Sequence, residues 1–133
     1  MILVDSGVLI ALLDHRDADH QRCARVAQQL PNLPLLTTWC CFTEAMYFMG
    51  KMGGFKAQRG LWKLLFSKRI QLHTPNETRM SELMEKYQDT PMDLADASLV
   101  VLASELETRR IFTLDSDFYV YRTSRGEAFE CMP

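Results

Sequence analysis

The acidic residues of this chain fall where a parallel sheet would collect them. Asp5 directly follows the apolar run Ile2-Leu3-Val4, and Asp115 directly follows Ile111-Phe112-Thr113-Leu114. Short, continuous runs of branched side chains read as buried strands. In an open parallel sheet, sites form in the crevice beyond the carboxyl ends of the strands, so two acids far apart in sequence are expected at one edge. Glu44 stands among Phe42, Ala45, Met46, Tyr47 and Phe48, where burying a lone carboxylate is costly unless it is paired or meets a cation. Asp93 and Asp96, three apart at the start of a further helix, share one face of it. Carboxylates that converge in a small crevice must take up protons or recruit a cation. An oxygen-only set with no nearby Cys or His suits Mg2+ or Mn2+. Such an ion activates water and stabilises charge on phosphate oxygens, so the chemistry expected is metal-assisted phosphodiester hydrolysis.

Each acid also has a purely structural use. Asp5 can cap the helix that follows it. Asp93, three after Thr90, fits a capping pair. In Asp115-Ser116-Asp117, one of the two acids is expected to serve as a turn residue. Charge distribution is the independent clue: between Glu44 and Glu77 the chain has no acid but carries Lys51, Lys56, Arg59, Lys63, Lys68 and Arg69. Lys56, Arg59 and Lys63 at i, i+3 and i+7 line one helical face, an arrangement suited to holding a polyanion such as RNA, although a solvated helix face shows the same spacing.

The elements that must position these residues alternate. The pattern predicts a strand at 2–4, a turn at Asp5-Ser6-Gly7, and a helix over 8–13. Asp17 then caps a second helix, with Cys23, Val26, Ala27 and Leu30 on its apolar stripe and Pro31 and Pro34 ending it. A strand follows at 35–38, then a helix from Trp39 to Met49 that is broken by Gly50, Gly53 and Gly54. A new helix over 55–66 turns Leu61, Trp62, Leu65 and Phe66 inward. A strand at 70–72 comes next, and Asn76 opens a helix carrying Met80, Leu83, Met84 and Tyr87. Thr90-Pro91-Met92-Asp93 reads as a helix start for a helix reaching about Thr108, and a strand follows at 111–114. Strands alternating with helices imply an α/β fold: a mostly parallel sheet of four to five strands with helices on both faces.

The 133 residues, 47% hydrophobic and 24% charged, suit one domain over 1–133. Fifteen Lys and Arg against seventeen Asp and Glu give a net charge of -2, which excludes bulk basicity as a basis for nucleic-acid affinity. Cys23, Cys40, Cys41 and Cys131 have no Cys-x-x-Cys spacing and read as reduced thiols. Met1-Ile2-Leu3-Val4 reaches an acid at once and no apolar run approaches the roughly 20 residues of a membrane span. No membrane association is expected, and the cytoplasm is the expected compartment.

Ile2-Leu3-Val4-Asp5-Ser6-Gly7-Val8-Leu9-Ile10, Thr43-Glu44-Ala45, Pro91-Met92-Asp93-Leu94-Ala95-Asp96-Ala97 and Thr113-Leu114-Asp115-Ser116-Asp117-Phe118 together resemble the ordered acidic motifs of PIN-domain ribonucleases. The similarity is greatest to the short bacterial VapC-type toxins of toxin-antitoxin pairs. No single motif is specific, but four in order across essentially the whole chain are. The resemblance implies a three-layer PIN fold and a Mg2+- or Mn2+-dependent endoribonuclease. It makes Asp5, Glu44, Asp96 and Asp115 the core acids, with Asp5 and Asp96 as metal ligands, Glu44, Asp115, Asp93 and Asp117 as further ligands directly or through water, the last two being accessory acids, and Ser6 and Thr113 as supporting hydroxyls. It also implies an RNA substrate, a homodimer and, in toxin members, an antitoxin that blocks the groove. His20 is read as structural. Cys40-Cys41 and the Met-rich stretch from Met46 to Met52 depart from the family pattern, and Met46, Phe48, Met49 and Met52 are the expected partner surface. The competing readings are a PIN domain that grips RNA or a protein without cutting, and an aspartyl phosphotransferase. Against the phosphotransferase, no second acid stands two residues after Asp5.

Overall fold

A computed structural model describes residues 1–133. Five strands, β1 (Leu3–Val4), β2 (Leu35–Thr38), β3 (Ile70–His73), β4 (Arg110–Phe112) and β5 (Glu130–Met132), form one sheet in the order β3-β2-β1-β4-β5. Every pairing is parallel. The helices are α1 (Ser6–Leu13), α2 (His20–Gln29), α3 (Trp39–Phe66), α4 (Glu77–Lys86) and α5 (Leu94–Glu105). Strand pleat divides the core between two faces. Ile2, Val4 and Phe112 pack with α1, α2 and α3 on one side, while Leu3, Leu36 and Ile111 meet α5 on the other.

Strand order reverses beside the central β1, between β2 on one flank and β4 on the other. The crevice at that switch point is the usual ligand site of an open α/β sheet. Register fixes what lines it. Val4 pairs with Phe112, the Asp5 amide donates to the Phe112 carbonyl at 3.0 Å, and Asp5 therefore emerges beside Thr113.

Several boundaries differ from the sequence expectations, each for a local reason. There is no separate turn at Asp5-Ser6-Gly7: α1 begins at Ser6, with Asp5 as its N-cap. The second helix starts three residues after Asp17, because Asp17 accepts the Asp19 amide at 2.8 Å in a turn that precedes the helix. Gly50 and Gly53 do not break α3. The break comes at Gly54 alone, whose φ of 64° and ψ of -159° fold the helix into a hairpin. Gly50 instead permits close approach of the two arms, since a Cβ there would lie 2.4 Å from the Gln58 side chain, which donates to the Met46 carbonyl. Phe66 is not core: it is 74% exposed and stacks on the half-buried Trp62. Thr90 does not cap a helix; α5 starts later, with Asp93 as its N-cap, and ends at Glu105. The fifth strand, β5, has no counterpart among the strands located from sequence. It is short, with alternation too brief to register as a period.

Candidate metal centre

Asp5, Asp96 and Asp115 each offer a carboxylate oxygen within 4.8 Å of the others. They come from three places: the end of β1, the first turn of α5, and the loop after β4. Short hydrogen bonds hold each of them. Asp5 Oδ1 accepts the Ser6 amide at 2.7 Å, and Asp5 Oδ2 accepts the Thr113 hydroxyl at 2.9 Å. Thr113 Oγ1 also accepts the Asp115 amide at 3.0 Å, so one hydroxyl sets two acids. Asp115 Oδ1 in turn accepts the Asp117 amide at 2.9 Å, which starts a 3-10 turn over Ser116–Tyr119. The carboxylates of Asp5 and Asp115 that cap the turns after them are thus the same ones that meet Asp96.

Asp96 is fixed differently. Asp93 and Asp96 form a capping box: Asp93 Oδ1 accepts the Asp96 amide at 2.8 Å and Asp96 Oδ2 accepts the Asp93 amide at 3.4 Å. The capping partner of Asp93 is therefore Asp96 rather than Thr90. Asp96 Oδ2 also lies 3.2 Å from the hydroxyl of Tyr121, a fully buried residue whose hydroxyl donates to the Pro91 carbonyl. Sequence reasoning missed Tyr121. The available signal was a tyrosine in an apolar setting, since a buried phenol needs a polar partner.

Glu44 is exposed rather than buried, so the burial argument for it fails: its helix does have a solvent face. Its position nevertheless joins the group, because the Ser6 hydroxyl donates to Glu44 Oε1 at 2.5 Å while the Ser6 amide holds Asp5. Asp93 and Asp117 stand outside the inner three. Burial, then the nearby Asp115 and Asp93, hold the Asp117 carboxyl above its usual range.

Electrostatics match the geometry. Burial, reinforced by Asp115 and Glu44 and opposed by the Thr113 and Ser6 bonds, raises Asp5 to about 6. Burial and the charges of Asp93, Asp5 and Asp115 raise Asp96 to about 7. Three carboxylates that repel one another at one point, with oxygen donors alone, fit a hard divalent cation.

The basic residues lie elsewhere. Lys56, Arg59 and Lys63 line a groove of about 490 Å³ together with His15 and Arg16. That groove adjoins Leu13 and Asp14, at the far end of α1 from Asp5. The eight residues of α1 place the two ends about 12 Å apart along its axis. Lys51 sits between, over the Tyr47 ring. His20 donates through Nδ1–H to the Ala11 carbonyl at 2.7 Å, and all four cysteines are free thiols.

The PIN domain family profile matches residues 2–123. The chain belongs to the PIN domain family. Ribonuclease VapC26 of Mycobacterium tuberculosis is 25% identical over 136 residues, spanning 99% of this chain and all of that protein. The solved structure of VapC20 from the same organism, a sarcin-ricin loop cleaving toxin, aligns over 100% of both chains with a TM-score of 0.83 and 17% identity. VapBC2 of Rickettsia felis, solved with a DNA fragment from its promoter, aligns over 100% of both chains with a TM-score of 0.68 at 12% identity. These structures share the fold of this chain, whose own acidic cluster lies at the switch point beside β1. No helix is long and apolar enough to cross a membrane.

Proposed function

We propose that this PIN domain is a Mg2+- or Mn2+-dependent endoribonuclease and the toxin of a type II toxin-antitoxin pair. The observation that carries the reading is the meeting of Asp5, Asp96 and Asp115 oxygens within 4.8 Å at the carboxyl edge of a parallel sheet. Asp5, Asp96 and Asp115 would hold the ion, with Asp93 and Asp117 as an outer ring. A bound divalent ion supplies Lewis acidity towards a phosphate and a water of lowered pKa. The chain supplies the rest. Ser6 and Thr113 keep both Asp5 oxygens in fixed directions, and Tyr121 orients Asp96. Glu44, anchored through Ser6 with its carboxylate open to solvent, is placed to accept a proton at the mouth of the crevice. Lys51, Lys56, Arg59 and Lys63 hold the RNA backbone. Likeness to VapC26, to VapC20 and to the VapBC2 assembly supports the toxin assignment and an antitoxin partner; a homodimer working in the cytoplasm completes the proposal.

The test is cleavage of labelled RNA by the purified protein with Mg2+ or Mn2+. Asp5→Asn and Asp96→Asn should lose cleavage, as should the wild type in excess EDTA. Full activity under any of these conditions overturns the site. RNA binding without cleavage by the metal-loaded wild type would favour a PIN domain that grips without cutting.

A further inference from the structure

Two hydroxyls close to the acid centre have no part in the chemistry above. Thr38 closes β2 and caps α3, and Ser98 stands two residues after Asp96 on α5; both are fully buried. Leu36 pairs with Leu3 in the parallel ladder, so Thr38 and Asp5, each two residues further on, leave the sheet at the same edge. Thr38 Oγ1 accepts the Cys41 amide at 3.1 Å and lies 2.7 Å from Ser98 Oγ. Ser98 Oγ donates to the Ala95 carbonyl at 2.7 Å. A serine hydroxyl has one proton, and this one goes to Ala95, so the donor between the two hydroxyls is Thr38. The bonds form a chain with one direction, from the Cys41 amide through Thr38 and Ser98 to the Ala95 carbonyl. The Cys41 thiol approaches the same carbonyl at 3.8 Å. The α3 end of the chain is itself seated in the core by Cys41, Phe42 and Ala45. Met46 and Met49, which the sequence grouped with Phe48 and Met52 as a partner surface, turn inward against the core as well.

What this chain of bonds holds is the peptide that carries Asp96. The Ala95 carbonyl and the Asp96 amide belong to one planar group, and Asp93 Oδ1 accepts the amide at 2.8 Å. The plane is gripped at both edges, by Asp93 from the start of α5 and by Ser98, backed by Thr38, from the sheet. Capping alone does not require this, because the cap of α3 uses a lone pair of Thr38 Oγ1 and leaves its proton free. Nor does packing, since burying hydroxyls costs free energy that apolar side chains of the same shape avoid. We infer that Thr38 and Ser98 are positioning residues, whose hydroxyl chain locks the Ala95–Asp96 peptide to the end of β2 and so aims the Asp96 carboxylate at Asp5 and Asp115. The purpose of that aim rests on the ribonuclease reading, whereas the lock itself is a property of the metal-free chain. The neighbouring Thr37 supplies an internal contrast. It is equally buried, and its Oγ1 has no hydrogen-bond partner.

The experiment compares Thr38→Val, Ser98→Ala, their double variant and Thr37→Val, well below the melting temperature of each. Amide hydrogen exchange at Asp96, followed by nuclear magnetic resonance without metal or RNA, should speed up by roughly 2- to 10-fold in Thr38→Val and Ser98→Ala. Mn2+ affinity, read by titration calorimetry without RNA, should fall by about 10-fold in the same two variants. The double variant should match the more affected single variant in both readouts, because either change cuts the same chain of bonds. Thr38→Ser should restore wild-type values, and Thr37→Val should keep them. Ser98→Ala leaves the cap of α3 in place and carries the test if Thr38→Val does not fold. Wild-type exchange at Asp96 or wild-type Mn2+ affinity in Ser98→Ala overturns the inference, even with a lowered melting temperature, which would reduce the pair to packing. An equal change in Thr37→Val overturns it too. If the wild type takes up no Mn2+, the nuclease reading fails, and exchange at Asp96 alone decides whether the lock stands.

Discussion

The two ends of α1 are built on opposite plans. At its N-terminal end, Asp5, Asp96 and Asp115 are drawn from three segments, partly or wholly buried, and tied by Ser6, Thr113 and Tyr121. At its C-terminal end, Lys56, Arg59 and Lys63 come from one helical arm and stay in solvent. The first arrangement exists only if the whole sheet forms, whereas the second needs little more than an α3 hairpin. Charge that must act on one atom is held by many elements; charge that must hold a flexible polymer can remain loose.

That contrast is most sharply broken at Asp96. Asp96→Asn should lower metal-dependent cleavage by about a thousandfold or more, the scale expected when a key electrostatic stabiliser is lost, while leaving the far-ultraviolet circular dichroism unchanged. A variant that keeps a tenth of wild-type activity would show that the buried end does not carry the reaction. One step out, Thr113→Val removes the hydroxyl shared by Asp5 and Asp115 and should cost about 10- to 100-fold in apparent Mn2+ affinity, read by titrating cleavage against Mn2+.

Stability should respond to pH at the buried end as well. Asp5 and Asp96 keep protons to about 6 and about 7 in the fold, but lose them near 4 when unfolded. Over that window the native state binds more protons, so the metal-free melting temperature should fall as pH rises from about 4 to 7 and then level off. Mn2+ should raise it more at pH 8 than at pH 5, by mass action on ionised ligands. A metal-free profile that rises across this window would contradict the burial of the pair. Tyr121→Phe leaves the Pro91 carbonyl without its donor and removes the hydroxyl beside Asp96, and should cost about 1–3 kcal/mol of stability in urea unfolding.

The loose end should behave in the opposite manner. Replacing Lys56, Arg59 and Lys63 together by alanine should shift stability by no more than about 0.5 kcal/mol. It should reduce the slope of log affinity for single-stranded RNA against log salt by about 2. A larger stability loss would mean that these cations pack rather than bind.

How far the sequence could be read follows the same division. Strand ends followed by acids, together with the rule that parallel sheets open at their carboxyl edge, were enough to bring Asp5 and Asp115 together. The basic face was legible from spacing along one helix, but its distance from the acids was not. That distance depends on the length of α1 and on how Gly54 turns α3, and both are tertiary facts. Glu44 was placed beside Asp5 for a mistaken reason: its helix looked apolar all round because Tyr47, Phe48 and Met52 face solvent. Tyr121 and β5 escaped notice because a single buried phenol and a three-residue strand leave no periodic trace.

β5 has a consequence for regulation at a distance. The Met132 carbonyl accepts the Thr113 amide at 2.8 Å, on the residue whose hydroxyl grips Asp5. An edge strand of three residues is a weak latch, and fraying it would slacken the hold of Thr113 on Asp5 and Asp115.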